Sequence, residues 1–286
     1  MRFDTIIVRL LRGAFNKMKM ITLNNNKQIP IIGSGTNTYG KEGNDYSGEI
    51  TNDTTELQSA IVGGYRHFDT AISYRNEAVI GKAVAESGLP REEFFLTSKL
   101  PGEPEYIKDE ATIDAAVQNS LKALQTDYID LYLIHHPWDK DEEMVATWKV
   151  LEKHVEEGTI KSIGVSNFSK EQLKLILDNG TIKPTVNQVQ SHPGNWNHEI
   201  IEFGREHDVY AQAWGPLSRV NEVDRDRLKA IGQKYDKTWA QVVLNFQINR
   251  DVIVIPKSHN ADRQKLNIDV FDFELTQEDK KEIYNL

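Results

Sequence analysis

The sequence predicts an α/β fold: a parallel (β/α)8 TIM barrel with an N-terminal β-hairpin at the barrel bottom. Two observations lead there. Eight short runs rich in β-branched and aromatic residues alternate with helix-period segments along 286 residues, the pattern of a parallel sheet with crossover helices. The polar and aromatic residues that end these runs also fall at their C-terminal ends, where such a barrel gathers its chemistry. An open doubly wound sheet is the alternative with the same alternation.

The eight runs lie at 31–36, 65–70, 94–100, 128–136, 162–167, 185–190, 209–214 and 252–258. Helix-period segments fill the gaps between them. Segment 112–124 sets Ile113, Ala116, Val117, Leu121 and Leu124 on one stripe, and 144–157 does the same with Met144, Trp148, Leu151 and Val155. Segment 169–179 opens on a Ser cap, carries Leu173, Ile176 and Leu177, and stops at Gly180. Segment 197–207 and two more between Asp224 and Asn249 follow the same logic. Ahead of the first run, 21–30 holds Asn24-Asn25-Asn26-Lys27 at its centre and predicts a hairpin that plugs the barrel bottom. The polar, glycine-containing stretch 40–53 is expected as a loop on the top face.

No linker or low-complexity tract divides the chain, so one domain is expected over 20–286. Residues 1–19 are basic, with Arg2, Arg9, Arg12, Lys17 and Lys19, and their apolar run 5–8 is cut by Arg9. That run is too short for a signal-peptide core. The stretch is expected to be a non-catalytic extension, with the functional chain starting near Met18 or Met20.

Composition narrows the function. The net charge is −9, and no stretch interleaves Lys and Arg with aromatics; a nucleic-acid surface needs that positive field, so no nucleic-acid partner is expected. The chain has no cysteine, which rules out disulfides and thiolate nucleophiles or ligands and fits a cytoplasmic protein. No apolar run is long enough to span a bilayer, so no membrane association is expected. Gly33-Ser34-Gly35 follows a strand, but the third glycine of a dinucleotide fingerprint is missing and 36–40 opens no helix. A Rossmann assignment is therefore rejected.

The strand ends deliver Asp69, Lys99, His135, Ser166 with Asn167, Gln188, Trp214, and Lys257 with Ser258 to one rim. Singly, each has an ordinary explanation: a helix cap, a solvated charge, a structural histidine. Their convergence favours a functional site. Tyr74 follows Asp69 by a few residues. A free phenol has a pKa of about 10, high for an acid working near neutrality. A neighbouring Lys ammonium favours the phenolate. Asp69 is placed to keep Lys99 charged and aimed, and His135 to hydrogen-bond a substrate oxygen or the Tyr74 hydroxyl. The set describes a general acid beside an electrophilic pocket.

Three segments carry a resemblance. Gly64-Tyr65-Arg66-His67-Phe68-Asp69-Thr70-Ala71 with Tyr74, Asn76-Glu77 and Gly81 is one. Lys161-Ser162-Ile163-Gly164-Val165-Ser166-Asn167-Phe168 is the second, and Ile255-Pro256-Lys257-Ser258 with Arg263 and Asn267 the third. In this order they resemble the signatures of the aldo-keto reductase family, over roughly 20–286. The bacterial diketogluconate and glyoxal reductases are the nearest in type.

The resemblance implies a reductase using NADPH, with NADH less favoured, on a small-molecule carbonyl. It implies Asp69, Tyr74, Lys99 and His135 as the catalytic tetrad. It implies Ser166, Asn167 and Gln188 at the nicotinamide carboxamide and Trp214 under the nicotinamide ring. Lys257, Ser258 and Arg263 would clamp the 2′-phosphate, and Asn267 would meet the adenine. Gly35, Thr36 and Leu217 would complete the cofactor site, and Asn37 and His136 the substrate pocket.

The chain departs from the family where His135-His136-Pro137 replaces His-Trp-Pro, where Asn37 replaces a pocket aromatic, and where Gly215 follows Trp214. A less aromatic, more polar pocket is expected. The rivals are a regulatory module that senses NADPH and a metal-dependent barrel hydrolase using Asp69, His135 and His136. Adjacent strand residues point to opposite faces, so His135 and His136 are expected to diverge and no metal site is expected. A monomer or weak oligomer is expected.

Overall fold

The structure is a computed structural model and describes residues 18–286. A hairpin of β1 (Met20–Thr22) and β2 (Gln28–Pro30) opens it, paired antiparallel with Met20 opposite Pro30. The eight barrel strands follow: β3 (Ser34–Gly35), β4 (His67–Asp69), β5 (Phe95–Leu100), β6 (Leu131–Ile134), β7 (Ile163–Ser166), β8 (Val186–Gln190), β9 (Tyr210–Trp214) and β10 (Ile253–Val254). They pair in parallel and in chain order. Ile32 closes the ring by bridging Val254 in parallel; the Gly33 N–H donates to Val254 O at 2.8 Å and the Val254 N–H to Ile31 O at 2.9 Å. Closure decides between the two sheets the alternation allowed: this is a barrel, with no free sheet edge.

The helices lie in the order α1 (Thr55–Gly63), α2 (Glu77–Glu86), α3 (Pro104–Ile107), α4 (Glu110–Leu124), α5 (Asp141–Glu157), α6 (Lys170–Asn179), α7 (His198–Glu206), α8 (Glu222–Gln233), α9 (Trp239–Ile248), α10 (Ala261–Ile268) and α11 (Gln277–Tyr284). Their starts follow local chemistry. Asp109, Ser169 and Thr238 each cap a helix with a reciprocal capping box, so orphan N–H groups at those ends find acceptors. The stripe expected on α4 is buried at Ile113, Ala116, Val117, Leu121 and Leu124, and Met144, Trp148 and Leu151 of α5 are fully enclosed. Helices α10 and α11 follow the last strand and were not anticipated individually.

The hairpin sits at the barrel bottom. Asn24 Nδ2 donates to Pro184 O (2.8 Å) and Asp208 O (3.0 Å), and Asn25 Nδ2 to Ser162 Oγ (2.9 Å), just before β8, β9 and β7 begin. Leu23 and Ile29 are buried. Of the extension expected over 1–19, only Met18 and Lys19 are described, and both join the barrel. Met18 packs in the core, and Lys19 O accepts from the Ile31 N–H at 3.0 Å. Residues 1–17 lie outside the described residues. Among the described residues, no helix is long and apolar enough to cross a membrane.

Candidate active site

The top rim opens on a cavity of about 680 Å³. Its depth comes from three neighbouring strand ends. Asp69 closes β4 and Lys99 precedes the last residue of β5. Tyr74 ends a short 3-10 turn, Ile72–Tyr74, which leads on to α2. The parallel register of β4 on β5 brings the first two together across the barrel. Lys99 Nζ donates to Asp69 Oδ1 at 2.5 Å, to Thr70 O at 2.9 Å and to the Tyr74 hydroxyl at 3.3 Å. Asp69 Oδ2 accepts from Gln188 Nε2 at 2.7 Å and from Gln212 Nε2 at 3.3 Å. Every polar neighbour of the carboxylate is a donor, which suits its ionised form.

Burial pushes the Tyr74 phenol up, and Lys99 beside it pulls the other way. The net displacement is upward, so this acid holds its proton more firmly than a free phenol. Lys99 is raised: burial opposes its charge, but Asp69 and then Tyr74 more than restore it. His135 is pushed down to about 2 by burial, with Lys99 and His136 adding to the effect. It is a neutral imidazole. Its ring meets Tyr74 edge-on at 5.5 Å, and its Nδ1 faces Ser73 Oγ at 3.5 Å.

Asn167 organises the opposite wall. Its φ is 61°, a left-handed conformation in which Asn is among the best-tolerated residues. Its Nδ2 donates to Ser166 Oγ at 3.0 Å and His135 O at 3.3 Å and meets His136 Nδ1 at 3.1 Å. Its Oδ1 accepts the Trp214 indole N–H at 2.8 Å. Gly35 stands at the rim where an added Cβ would lie 3.2 Å from Ile255 O, which keeps that side of the cavity open.

Most residues singled out from the sequence line this cavity: Gly35, Thr36, Asn37, Asp69, Tyr74, His135, His136, Ser166, Asn167, Gln188, Trp214, Leu217 and Lys257. Lys99 lies directly beneath it. Ser258, Arg263 and Asn267 lie beyond the Lys257 end. There Arg263 Nε donates to Ser258 Oγ at 3.2 Å, and Asn267 is buried on α10.

Three expectations need amending. His135 and His136 do not diverge: their rings stack at 4.5 Å and 15°, because β6 ends at Ile134 and strand alternation no longer applies. Gln188 spends its amide N–H on Asp69. The pocket regains an aromatic from the top loop, where Tyr46 lies edge-on to Tyr74 at 6.0 Å.

Ser73, Glu103, Pro216 and Ser218 also line the cavity unannounced. Gln212 was missed too, although a polar residue two places before Trp214 on a buried strand faces the same side and is a readable signal.

The chain belongs to the aldo/keto reductase family, whose model matches residues 31–286. Glyoxal reductase of Bacillus subtilis is 39% identical over 92% of this chain and 91% of its own. The crystal structure of an aldo/keto reductase from Brucella melitensis superposes with a TM-score of 0.84 at 36% identity, covering 93% of this chain and 98% of that one. An aldo-keto reductase of Bombyx mori, crystallised in complex with NADP, gives 0.83 at 34% identity, over 94% and 92%. The protein is thus an oxidoreductase of this family.

Proposed function

We propose that this chain reduces small aldehydes and ketones, dicarbonyls such as glyoxals among them, to alcohols with NADPH, and that Tyr74 is the general acid. The observation that carries the proposal is the Tyr74–Lys99–Asp69 array at the floor of a cavity large enough for a cofactor and a small substrate. The donor set fits the cofactor. Trp214 and Leu217 offer apolar surface, Ser166 and Asn167 offer amide-pairing groups, and Lys257, Ser258 and Arg263 gather cationic and hydroxyl donors suited to a phosphate dianion.

When bound, NADPH supplies the hydride. The chain's residues do the rest. The Tyr74 hydroxyl donates a proton to the carbonyl oxygen as that oxygen gains charge. Lys99, held charged by Asp69, stabilises the phenolate that remains. Neutral His135 orients the carbonyl by hydrogen bonding without competing as an acid. The likeness to a glyoxal reductase supports small dicarbonyl substrates, and the polar lining from Asn37, Ser73 and His136 agrees with them. A cytoplasmic location and a monomeric or weakly oligomeric state accompany the proposal.

NADPH oxidation with methylglyoxal tests it. Wild type should turn over, and Tyr74→Phe should bind NADPH with unchanged affinity while losing at least about a hundredfold in kcat. A fully active Tyr74→Phe enzyme would refute the assignment.

A further inference from the structure

Behind Lys257 runs a chain of hydrogen bonds that the catalytic proposal does not use. Lys257 Nζ donates to Thr38 Oγ1 at 2.7 Å. Thr38 Oγ1 meets His259 Nε2 at 2.8 Å, and His259 Nδ1 is bonded to Glu56 Oε1. Thr38 is buried, while His259 and Glu56 are half-buried.

Donor logic sets the direction. A carboxylate only accepts, so Nδ1 carries a proton. In the neutral imidazole Nε2 then accepts the Thr38 hydroxyl proton, and Thr38 oxygen accepts from the ammonium. The Tyr39 ring packs edge-on to His259 at 5.3 Å, and Gln264 Nε2 donates to Glu56 O at 3.1 Å, so α1 and α10 hold both partners in place.

The arrangement places an acidic side chain beside a cationic cluster. A carboxylate there opposes a phosphate dianion through space, and in direct contact with Lys257 it would compete for the ammonium. His259 and Thr38 stand between the two. We propose that His259 and Thr38 hold the Glu56 carboxylate off Lys257, which makes Glu56 and His259 the positioning residues that set discrimination between a ribose 2′-phosphate and a 2′-hydroxyl. Lys257 feels Glu56 through space, in keeping with their nearness. The inference builds on the phosphate role proposed for Lys257 and goes beyond it, because Glu56 and His259 touch the cofactor only through that lysine.

The test is a set of dissociation constants for NADPH and NADH, read from quenching of tryptophan fluorescence, with thermal melts to verify folding. Glu56→Gln keeps an acceptor for His259 and removes the charge; it should tighten NADPH roughly fivefold and leave NADH unchanged. His259→Ala frees the carboxylate to pair with Lys257 and should weaken NADPH roughly tenfold, again sparing NADH. The double variant should recover most of that loss. If His259→Ala changes neither cofactor, or weakens both alike, the inference is overturned. Lys257→Met separates the two failures. Should it lower NADPH affinity selectively while the other variants do nothing, only the Glu56–His259 inference falls; should it spare NADPH, the phosphate clamp falls and the inference with it.

Discussion

Lys99 Nζ lies 2.5 Å from Asp69 Oδ1, and both side chains are closed to solvent. In that setting the pair does more for the state of Tyr74 than for stability, because removing two charges from water offsets most of their attraction. Breaking it is another matter. Asp69→Asn strands a buried ammonium and should cost about 3–5 kcal/mol of folding stability. If Lys99 instead sheds its proton, Tyr74 loses the cation that pulls its phenol down. The expected outcome is a lowered Tm and a kcat reduced at least about a hundredfold. Melting curves and steady-state rates of Asp69→Asn check both. An unchanged Tm would mean that the pair is not enclosed as described.

The pH profile of reduction follows from two displaced groups. Burial pushes Tyr74 up, so the proposed acid stays protonated through neutral and mildly alkaline pH. Burial also pushes His135 down to about 2, so it does not titrate across the working range. The chemical step for reduction should therefore be flat from about pH 6 to 9 and fall only at higher pH, as the phenol ionises. Single-turnover reduction against pH measures this. A limb near pH 6.5 that vanished in His135→Asn would show that the imidazole titrates after all.

Asn167 couples a backbone conformation to the placement of Trp214. Replacing it with Ala puts a Cβ without a local hydrogen bond at φ 61° and cuts the bonds to Trp214, His136 and the His135 carbonyl. Replacing it with Gly cuts the same bonds but tolerates the backbone. Asn167→Ala should lose about 1 kcal/mol more stability than Asn167→Gly. Both should weaken NADPH binding to a similar degree, because both release the indole. Denaturant unfolding and cofactor titration separate the backbone effect from the side-chain effect.

Much of this molecule is legible in its sequence, for reasons that can be named. Strand positions showed because a barrel strand is buried on both faces and reads as a short apolar run, as at 131–134 and 163–166. The rim residues showed because polar groups ending such runs stand out. Pairings between strands far apart in sequence did not show. Gln188 lies 119 residues from Asp69, and only barrel closure reveals that its amide binds that carboxylate. Nor did the divergence expected of His135 and His136 survive, since it assumed a strand reaching 136 while pairing stops at Ile134. Tyr46 was hidden for a similar reason: where a loop folds back is settled by contacts such as Lys41 Nζ to Tyr46 O at 2.6 Å, which no periodicity encodes.

His67 offers a stability test away from the cavity. Its ring is fully enclosed, and burial pushes its pKa down to about 3, with the Pro30 carbonyl resisting and Lys99 assisting. Packing leaves it no room to move, since a Cβ added at Gly33 would lie 2.5 Å from its Nδ1. The sign follows from linkage. The unfolded chain takes up this proton as pH falls through about 6.5, and the native chain does not until about 3. Between those values the unfolded state binds more protons, so native stability drops as pH falls, by about 1.4 kcal/mol per unit for this group. From pH 7 to 5 the wild type should lose about 2 kcal/mol more than His67→Asn, although the variant is less stable at pH 7 because of the smaller side chain. Urea unfolding of both proteins at the two pH values gives the difference directly. Parallel losses would mean that the imidazole takes up its proton within the folded barrel.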